Sequence, residues 1–274
     1  MEVKHLGHTD FDIIMECFLS AFENYFVKMP TDYDFYRERW KATGVRYDLS
    51  YGMFDKNKLV GFIMNAIDKR QNQLTAYNSG TGVIPEYRGQ RIVKSIYEYA
   101  IPELIKNGIT KCQLEVITEN EKAIKSYQGI GFKTCKHYKC YKGMLKTENK
   151  TDFILSKFSY ENMNWDVFPN QDLYSWDNQK ESLVKLNFDY YQILGKGKIQ
   201  SYFIIDSQSG YIAQFEVLDS STLQWQNLFS AIQTTNQNIR INNIDDRLID
   251  KIVAVESFGL ENNVDQFEME LFLK

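Results

Sequence analysis

The stretch from Leu74 to Thr118 constrains this chain more than any other. Leu74–Val83 reads as a long strand and Pro85-Glu86-Tyr87-Arg88-Gly89 as a tight loop. About Gln90–Asn107 reads as a helix stopped by Gly108, and Lys111–Thr118 as a second strand. A strand, a helix and a strand in this order form a crossover, and a crossover joins parallel neighbours. The fold class is therefore α/β: a mixed central sheet flanked by helices. Pro102 falls inside the crossover helix and predicts a kink or an early end there.

The flanks extend this reading. A helix is expected over residues 9–26, capped by Thr9 and Asp10, with Phe11, Ile14, Met15, Phe18, Phe22 and Phe26 at helical spacing. Pro30-Thr31-Asp32 opens a second helix that runs to about Lys41. Leu49–Phe54 and Leu59–Met64 flank the turn Asp55–Lys58 as a hairpin. Asn120–Gln128 is helical, and Gly131-Phe132 turns the chain into Lys133–Tyr141, the strand expected to close the first sheet.

A chain of 274 residues has room for two domains. The polar run Lys142–Lys150 is the expected linker, which divides the chain into 1–145 and 151–274. The second part repeats the element order of the first. Tyr202–Ile205 and Tyr211–Leu218 are strands, Thr222–Thr234 a helix, Ile239–Asn242 a strand, Asp245–Val255 a capped helix and Val264–Leu273 a closing strand. Charge divides as well. Residues 1–150 hold 23 Lys and Arg against 18 Asp and Glu, whereas residues 151–274 hold 9 against 18. The halves therefore read as separate units.

Composition excludes several classes. With 43% hydrophobic residues, 15 Gly and 4 Pro, the chain is neither disordered nor collagen-like. A pI near 5.6 with no basic stripe argues against a nucleic-acid partner. No apolar run approaches the ~20 residues of a membrane helix, and no membrane association is expected. Met1–His5 has no apolar core, so no secretory signal is read. Cys17, Cys112, Cys135 and Cys140 form no CxxC pair or zinc spacing and read as free thiols in the cytoplasm. His5, His8 and His137 lack metal-ligand spacing, and no metal is expected.

The chemistry is concentrated in Gly82-Val83-Ile84-Pro85-Glu86-Tyr87-Arg88-Gly89-Gln90-Arg91-Ile92. A strand ending in a glycine loop that opens a helix presents unpaired N–H groups where the helix dipole favours an anion. Arg88 and Arg91 add positive charge, and Gly89 allows close backbone approach. The loop is a candidate pyrophosphate cradle; by itself it also reads as a plain β–α turn.

Val83-x-Pro85-x-x-Arg88-Gly89 resembles the acetyl-CoA-binding motif of the GNAT superfamily of N-acetyltransferases. Asn120-x-x-Ala123-x-x-x-Tyr127-x-x-x-Gly131-Phe132 resembles that family's second signature helix and the strand after it. The two motifs occur in the family's order, with one strand between them. The resemblance covers residues 1–143 and extends to 151–274 as element order, as in tandem proteins with a degenerate second copy. One departure stands out. The family pattern places Gly and then Gly or Ala where this chain has Arg91 and Val93; both positions are expected to be helical, a conformation open to either residue.

The resemblance implies an acetyl-CoA-dependent N-acetyltransferase that acts on a primary amine by direct attack. It implies that Arg88, Gly89, Gln90, Arg91, Ile92 and Val93 hold the pyrophosphate end of acetyl-CoA. It further implies that the strands Leu74–Val83 and Lys111–Thr118 splay, which frees backbone groups near Thr81 and Val83 for the pantetheine amides. Tyr127 stands where the family's proton donor stands; the residue also reads as a core aromatic. Glu115 on the neighbouring strand is the named base, or else an exposed strand carboxylate. Asn120 reads as a cofactor contact or as a helix N-cap.

The second half lacks these groups. Asp219-Ser220-Ser221 replaces the cradle, and Val255, four residues before Gly259-Leu260, stands where Tyr127 does. This copy is expected neither to bind CoA nor to donate a proton. Its acidic balance fits a cationic acceptor, and packing or homodimerisation are its other expected roles. The alternative to an enzyme is a CoA-binding regulatory or structural module with impaired catalysis.

Overall fold

The computed structural model describes residues 1–147, 153–195, 197–219 and 221–274. The chain divides into two compact units, Met1–Cys135 with Glu268–Lys274, and Lys136–Phe267. This differs from the expected division at 145 and 151. The last three residues of the expected linker, 148–150, lie outside the described residues, and Lys142–Met144 is strand.

The first unit contains β1 (Glu2–His5), α1 (Phe11–Phe22), α2 (Tyr33–Thr43), β2 (Tyr51–Asp55), β3 (Lys58–Arg70), β4 (Gln73–Val83), α3 (Ile92–Lys106), β5 (Lys111–Ile117) and α4 (Glu121–Ile130). Its strands follow the order β1-β2-β3-β4-β5. The hairpin and the parallel crossover stand where the sequence places them. α1 is shorter than expected: Asp10 makes no capping bond, the helix stops at Phe22, and Phe26 is 56% exposed. Asp32 does cap α2, its Oδ1 accepting from the Asp34 and Phe35 N–H groups. α3 continues through Pro102 to Lys106.

β6 (Lys133–Met144) does not close the first sheet. From Lys136 it belongs to the second unit, where residues 138–144 pair antiparallel with β11 (Asn238–Asp245). β5 is followed instead by the end of β12 (Glu261–Phe272), and the Leu273 N–H donates to the Thr110 carbonyl.

The second unit adds β7 (Ile154–Phe158), α5 (Lys180–Leu183), β8 (Asp189–Gly195), β9 (Lys198–Asp206), β10 (Tyr211–Val217), α6 (Thr222–Thr235) and α7 (Ile249–Ser257). Its strands follow β6-β11-β10-β9-β8-β7. One side packs Phe203 and Phe215 of the sheet with Leu228, Phe229 and Ile232 of α6 and Val255 of α7. The other buries Met163, Phe168, Leu183, Tyr202 and Ile204 beneath the turns of residues 160–188. The expected start of α7 at Asp245 is corrected. Asp245 ends β11 and binds the Arg247 N–H and guanidinium, and the helix begins at Ile249.

Both units part their central parallel strands by the same device. β4 pairs with β5 from Thr75↔Lys111 to Asn78↔Leu114 and no further. The next residue, Ser79, is an extra residue in β4 against β3, whose register moves from Asn65↔Asn78 to Met64↔Gly80. β10 pairs with β11 at Tyr211↔Arg240 and Ile212↔Ile241. Ala213 follows as the extra residue against β9. A bulge bends its strand and ends the ladder. Among the described residues, no helix is long and apolar enough to cross a membrane.

Candidate active site

The site is assembled around the parted ends of β4 and β5. Two glycines bring helices down on it. A Cβ on Gly82 would stand 2.7 Å from the Ala21 Cβ of α1, and one on Gly61 would stand 2.8 Å from the Ile92 Cγ2 of α3. Gly61 pairs with Val83 and Phe62 with Gly82. Successive residues of a strand face opposite sides, so the two helices cover opposite faces of the sheet here.

The loop after β4 is built by its own side chains. Residues Pro85–Tyr87 form a single 3-10 turn. The Tyr87 hydroxyl donates to Asp55 Oδ2 at 2.7 Å. Arg88 donates through Nε to the Val83 carbonyl (3.2 Å) and through Nη2 to the Ala21 carbonyl (3.0 Å). The Arg88 guanidinium therefore ties the loop to β4 and to the carbonyl end of α1. The Val83 carbonyl accepts one hydrogen bond from this guanidinium.

α3 begins at Ile92 rather than Gln90. Its first internal bond runs from the Ser95 N–H to the Arg91 carbonyl, which leaves the N–H groups of Ile92, Val93 and Lys94 without helical partners. The Ile92 side chain is buried against Gly61. Gln90 and Arg91 are exposed, and no atom lies within 4 Å of a Cβ placed on Gly89. Arg91 adopts φ +56° and ψ +25° as the N-cap, the left-handed region that favours glycine. The expectation that Arg91 is helical is thus corrected, whereas Val93 lies within the helix.

Between the parted strands lies a row of hydroxyls. Asn78, the last paired residue of β4, donates through Nδ2 to the Thr81 hydroxyl (2.5 Å) and to the Tyr97 hydroxyl (2.8 Å), and its Oδ1 accepts from the Gly80 N–H (3.0 Å). Tyr127 of α4 is 8% exposed, and its hydroxyl is hydrogen-bonded to Thr81. Burial pushes the Tyr127 phenol up to about 12, against a smaller lowering by the Thr81 bond. Its ring packs edge-on against Tyr97 and Phe132. Glu115 sits one residue past the last β4–β5 pair. Asn120 is the N-cap of α4, its side chain accepting from the Ala123 N–H at 3.2 Å. It is also hydrogen-bonded to Tyr25, whose phenol is raised chiefly by burial.

Thr81 and Tyr127 are thus hydrogen-bonded beyond the last β4–β5 pair, Glu115 lies on β5 one residue past that pair, and Asn120 opens α4. Sequence reasoning missed Asn78, Tyr97 and the Ser79 bulge. The signal for them was the polar run Asn78-Ser79-Gly80 inside an otherwise strand-like segment.

Residues 11–132 match the family model described as the acetyltransferase (GNAT) family. Over 109 residues the chain is 25% identical to N-alpha-acetyltransferase 30 of Schizosaccharomyces pombe, covering 39% of this chain and 71% of that protein. Over 89 residues it is 30% identical to the ribosomal protein bS18-alanine N-acetyltransferase of Escherichia coli K12, covering 32% of this chain and 57% of that protein. Among solved structures, a tandem GNAT protein from the clavulanic acid biosynthesis pathway shares the fold with a TM-score of 0.69 at 12% identity. That likeness covers 100% of this chain and 98% of the other. The matched stretch contains the parted strands, the loop and both flanking helices, and residues 11–132 are a domain of the acetyltransferase (GNAT) family.

Proposed function

We propose that the first unit is an acetyl-CoA-dependent N-acetyltransferase, in which a primary amine attacks directly while both substrates are bound. One observation carries the reading. The buried, protonated Tyr127 hydroxyl lies, through Thr81, at the point where β4 and β5 part. The residues present suit the co-substrate. Strand edges without β-partners match the amides of a pantetheine arm, and the partnerless N–H groups opening α3 match a pyrophosphate. Thr81 and the Val83 N–H would line the arm. Gly89, Gln90, Arg91 and the Ile92 and Val93 amides would hold the phosphates, with Arg88 fixing the loop.

When bound, acetyl-CoA supplies an acyl group activated as a thioester. Glu115 takes the proton that an ammonium acceptor must lose before it attacks, directly or through water. Tyr127 keeps its proton throughout the physiological range and donates it toward the departing sulfur, held in place by Thr81.

The acceptor is a cationic amine. The two curated relatives are named for α-amine and alanine N-acetylation, which favours a peptide N-terminus over a free polyamine. The exposed apolar side chains Phe26, Val27 and Phe35, next to α1 and on α2, offer such a peptide a surface. The test is calorimetry and turnover on Tyr127→Phe. Turnover should fall by about 10²–10⁴, with acetyl-CoA affinity unchanged. A second reading, a CoA-binding module without turnover, is favoured by the left-handed Arg91. A wild-type chain that binds CoA and acetylates no amine would select it, and absence of binding at millimolar acetyl-CoA would overturn both.

A further inference from the structure

The second unit parts its strands as the first does, but its gap is filled from within. β10 and β11 separate after Ile212 and Ile241. Residues 171–178 of the same unit bond to both strands there. The Tyr174 hydroxyl lies 3.0 Å from the Phe215 carbonyl of β10 and 3.1 Å from Glu216 Oε1, and Asn178 Nδ2 donates to the Asn242 carbonyl of β11 at 3.2 Å. Gln214 Nε2 donates to the Asn178 carbonyl at 2.6 Å, and the Tyr211 hydroxyl donates to Asn178 Oδ1 at 2.7 Å. Trp176, between the two anchors, is completely buried. The segment thus holds a main-chain carbonyl on each strand, and both carbonyls lie beyond the last pair of the ladder.

Behind the segment stands a buried ion pair. Lys251 of α7 and Glu216 of β10 are 3% exposed each and in contact, and Lys251 Nζ donates to the Tyr174 hydroxyl at 3.2 Å. The Lys251 ammonium also sits 4.7 Å and 4.9 Å from the ring centroids of Phe215 and Tyr174. Lys251 lies one helical turn before Val255, the position corresponding to Tyr127. The space left among Tyr174, Phe215, Asn243 and Lys251 is no larger than a single water.

We propose that residues 171–178 are a tethered ligand of the second unit. They occupy, from within the chain, the strand gap whose counterpart in the first unit is the proposed acetyl-CoA cleft, and they order it in the absence of any small molecule. A segment joined covalently to its site acts at a high effective concentration and excludes a diffusing competitor. The second unit accordingly takes no cofactor. Only the comparison with the first cleft rests on the proposed function.

Amide hydrogen exchange on the intact chain tests this. Without added ligand, residues 213–217 and 242–245 should exchange at least about tenfold more slowly than residues 79–83 and 115–117. Millimolar acetyl-CoA should leave 213–217 and 242–245 unchanged. The double variant Tyr174→Phe/Asn178→Ala should accelerate exchange in both second-unit stretches by about tenfold; if it fails to fold, Asn178→Ala alone is read in the same way. Equal rates in the two units without ligand, slowing of 213–217 by acetyl-CoA, or a folded variant with unmoved exchange each overturns the proposal. If acetyl-CoA slows residues 79–83 no more than 213–217, the cofactor reading of the first unit fails, and the ligand-free rates from the same run decide this one.

Discussion

Gly82 of β4 lies so close under Ala21 of α1 that a methyl group added to it would stand 2.7 Å from the alanine Cβ. The Phe62 ring presses on the same point, at 2.8 Å. Both neighbours are buried and neither is the loose end of a flexible side chain. Gly82→Ala should therefore lower stability by about 1–3 kcal/mol, the usual range for overpacking a filled core. Denaturant unfolding of the variant measures it, and a change below about 0.5 kcal/mol would show that α1 moves freely off the sheet.

Alkaline pH should destabilise the fold. Burial raises Tyr127 to about 12 from its ordinary 10, and Cys112 to about 12 from 9. Both groups hold their protons more tightly folded than unfolded. Their contribution is complete below the unfolded value and is lost as pH rises towards the folded one. Stability should fall by about 1.4 kcal/mol per pH unit for each group across that window. Melting temperatures between pH 8 and pH 12 report this, and Cys112→Ala should flatten the part of the slope that begins near pH 9.

Arg91 holds a conformation that costs a side-chain-bearing residue about 1–2 kcal/mol. Glycine removes that strain but gives back part of the gain as backbone entropy. Arg91→Gly should raise stability by about 0.5–1 kcal/mol. Acetyl-CoA affinity should stay within about threefold, because the N–H groups of α3 carry the phosphate site. Calorimetry decides. A larger loss of affinity would place the Arg91 guanidinium itself on the phosphates.

The Lys251–Glu216 pair should behave as a buried charge pair. Removing one partner strands the other in an apolar setting, where desolvation already lowers Lys251 despite the adjacent carboxylate. Glu216→Ala should cost about 3–5 kcal/mol, and Lys251→Met/Glu216→Leu should recover most of it. Urea midpoints of Glu216→Ala and of the double variant measure this, and equal losses in both would assign the effect to packing.

Much of the first unit was legible because its determinants are local. Strand alternation, the turn residues Asp55–Lys58 and the stop at Gly108 act within a few residues of themselves, and the structure agrees with each. The N-cap at Asn120 was legible for the same reason: its side chain reaches the Ala123 N–H. Residues 151–200 were largely unread. Their short 3-10 turns and aromatic side chains have no period of 2 or 3.6 to detect, and β7, β8 and the gap-filling segment went unanticipated.

Arg88 shows where local reading ends. The sequence places a cation beside a phosphate cradle; the structure turns it onto the carbonyls of Val83 and Ala21. A guanidinium has five donors and several rotatable bonds, and spacing along the chain says nothing of which acceptors a neighbouring helix brings near.

By itself, the sequence determined the strand–loop–helix at 82–92, the α4 helix that carries Tyr127, and the repetition of element order. Helix periodicity, capping and glycine geometry are all encoded within one or two turns. Only the tertiary structure decided that Glu268–Lys274, rather than the end of β6, belongs to the first unit, and that residues 171–178 fill the gap of the second. Strand pairing is made by backbone groups that every residue shares, so a strand's partner is chosen by what else is nearby once the chain is compact.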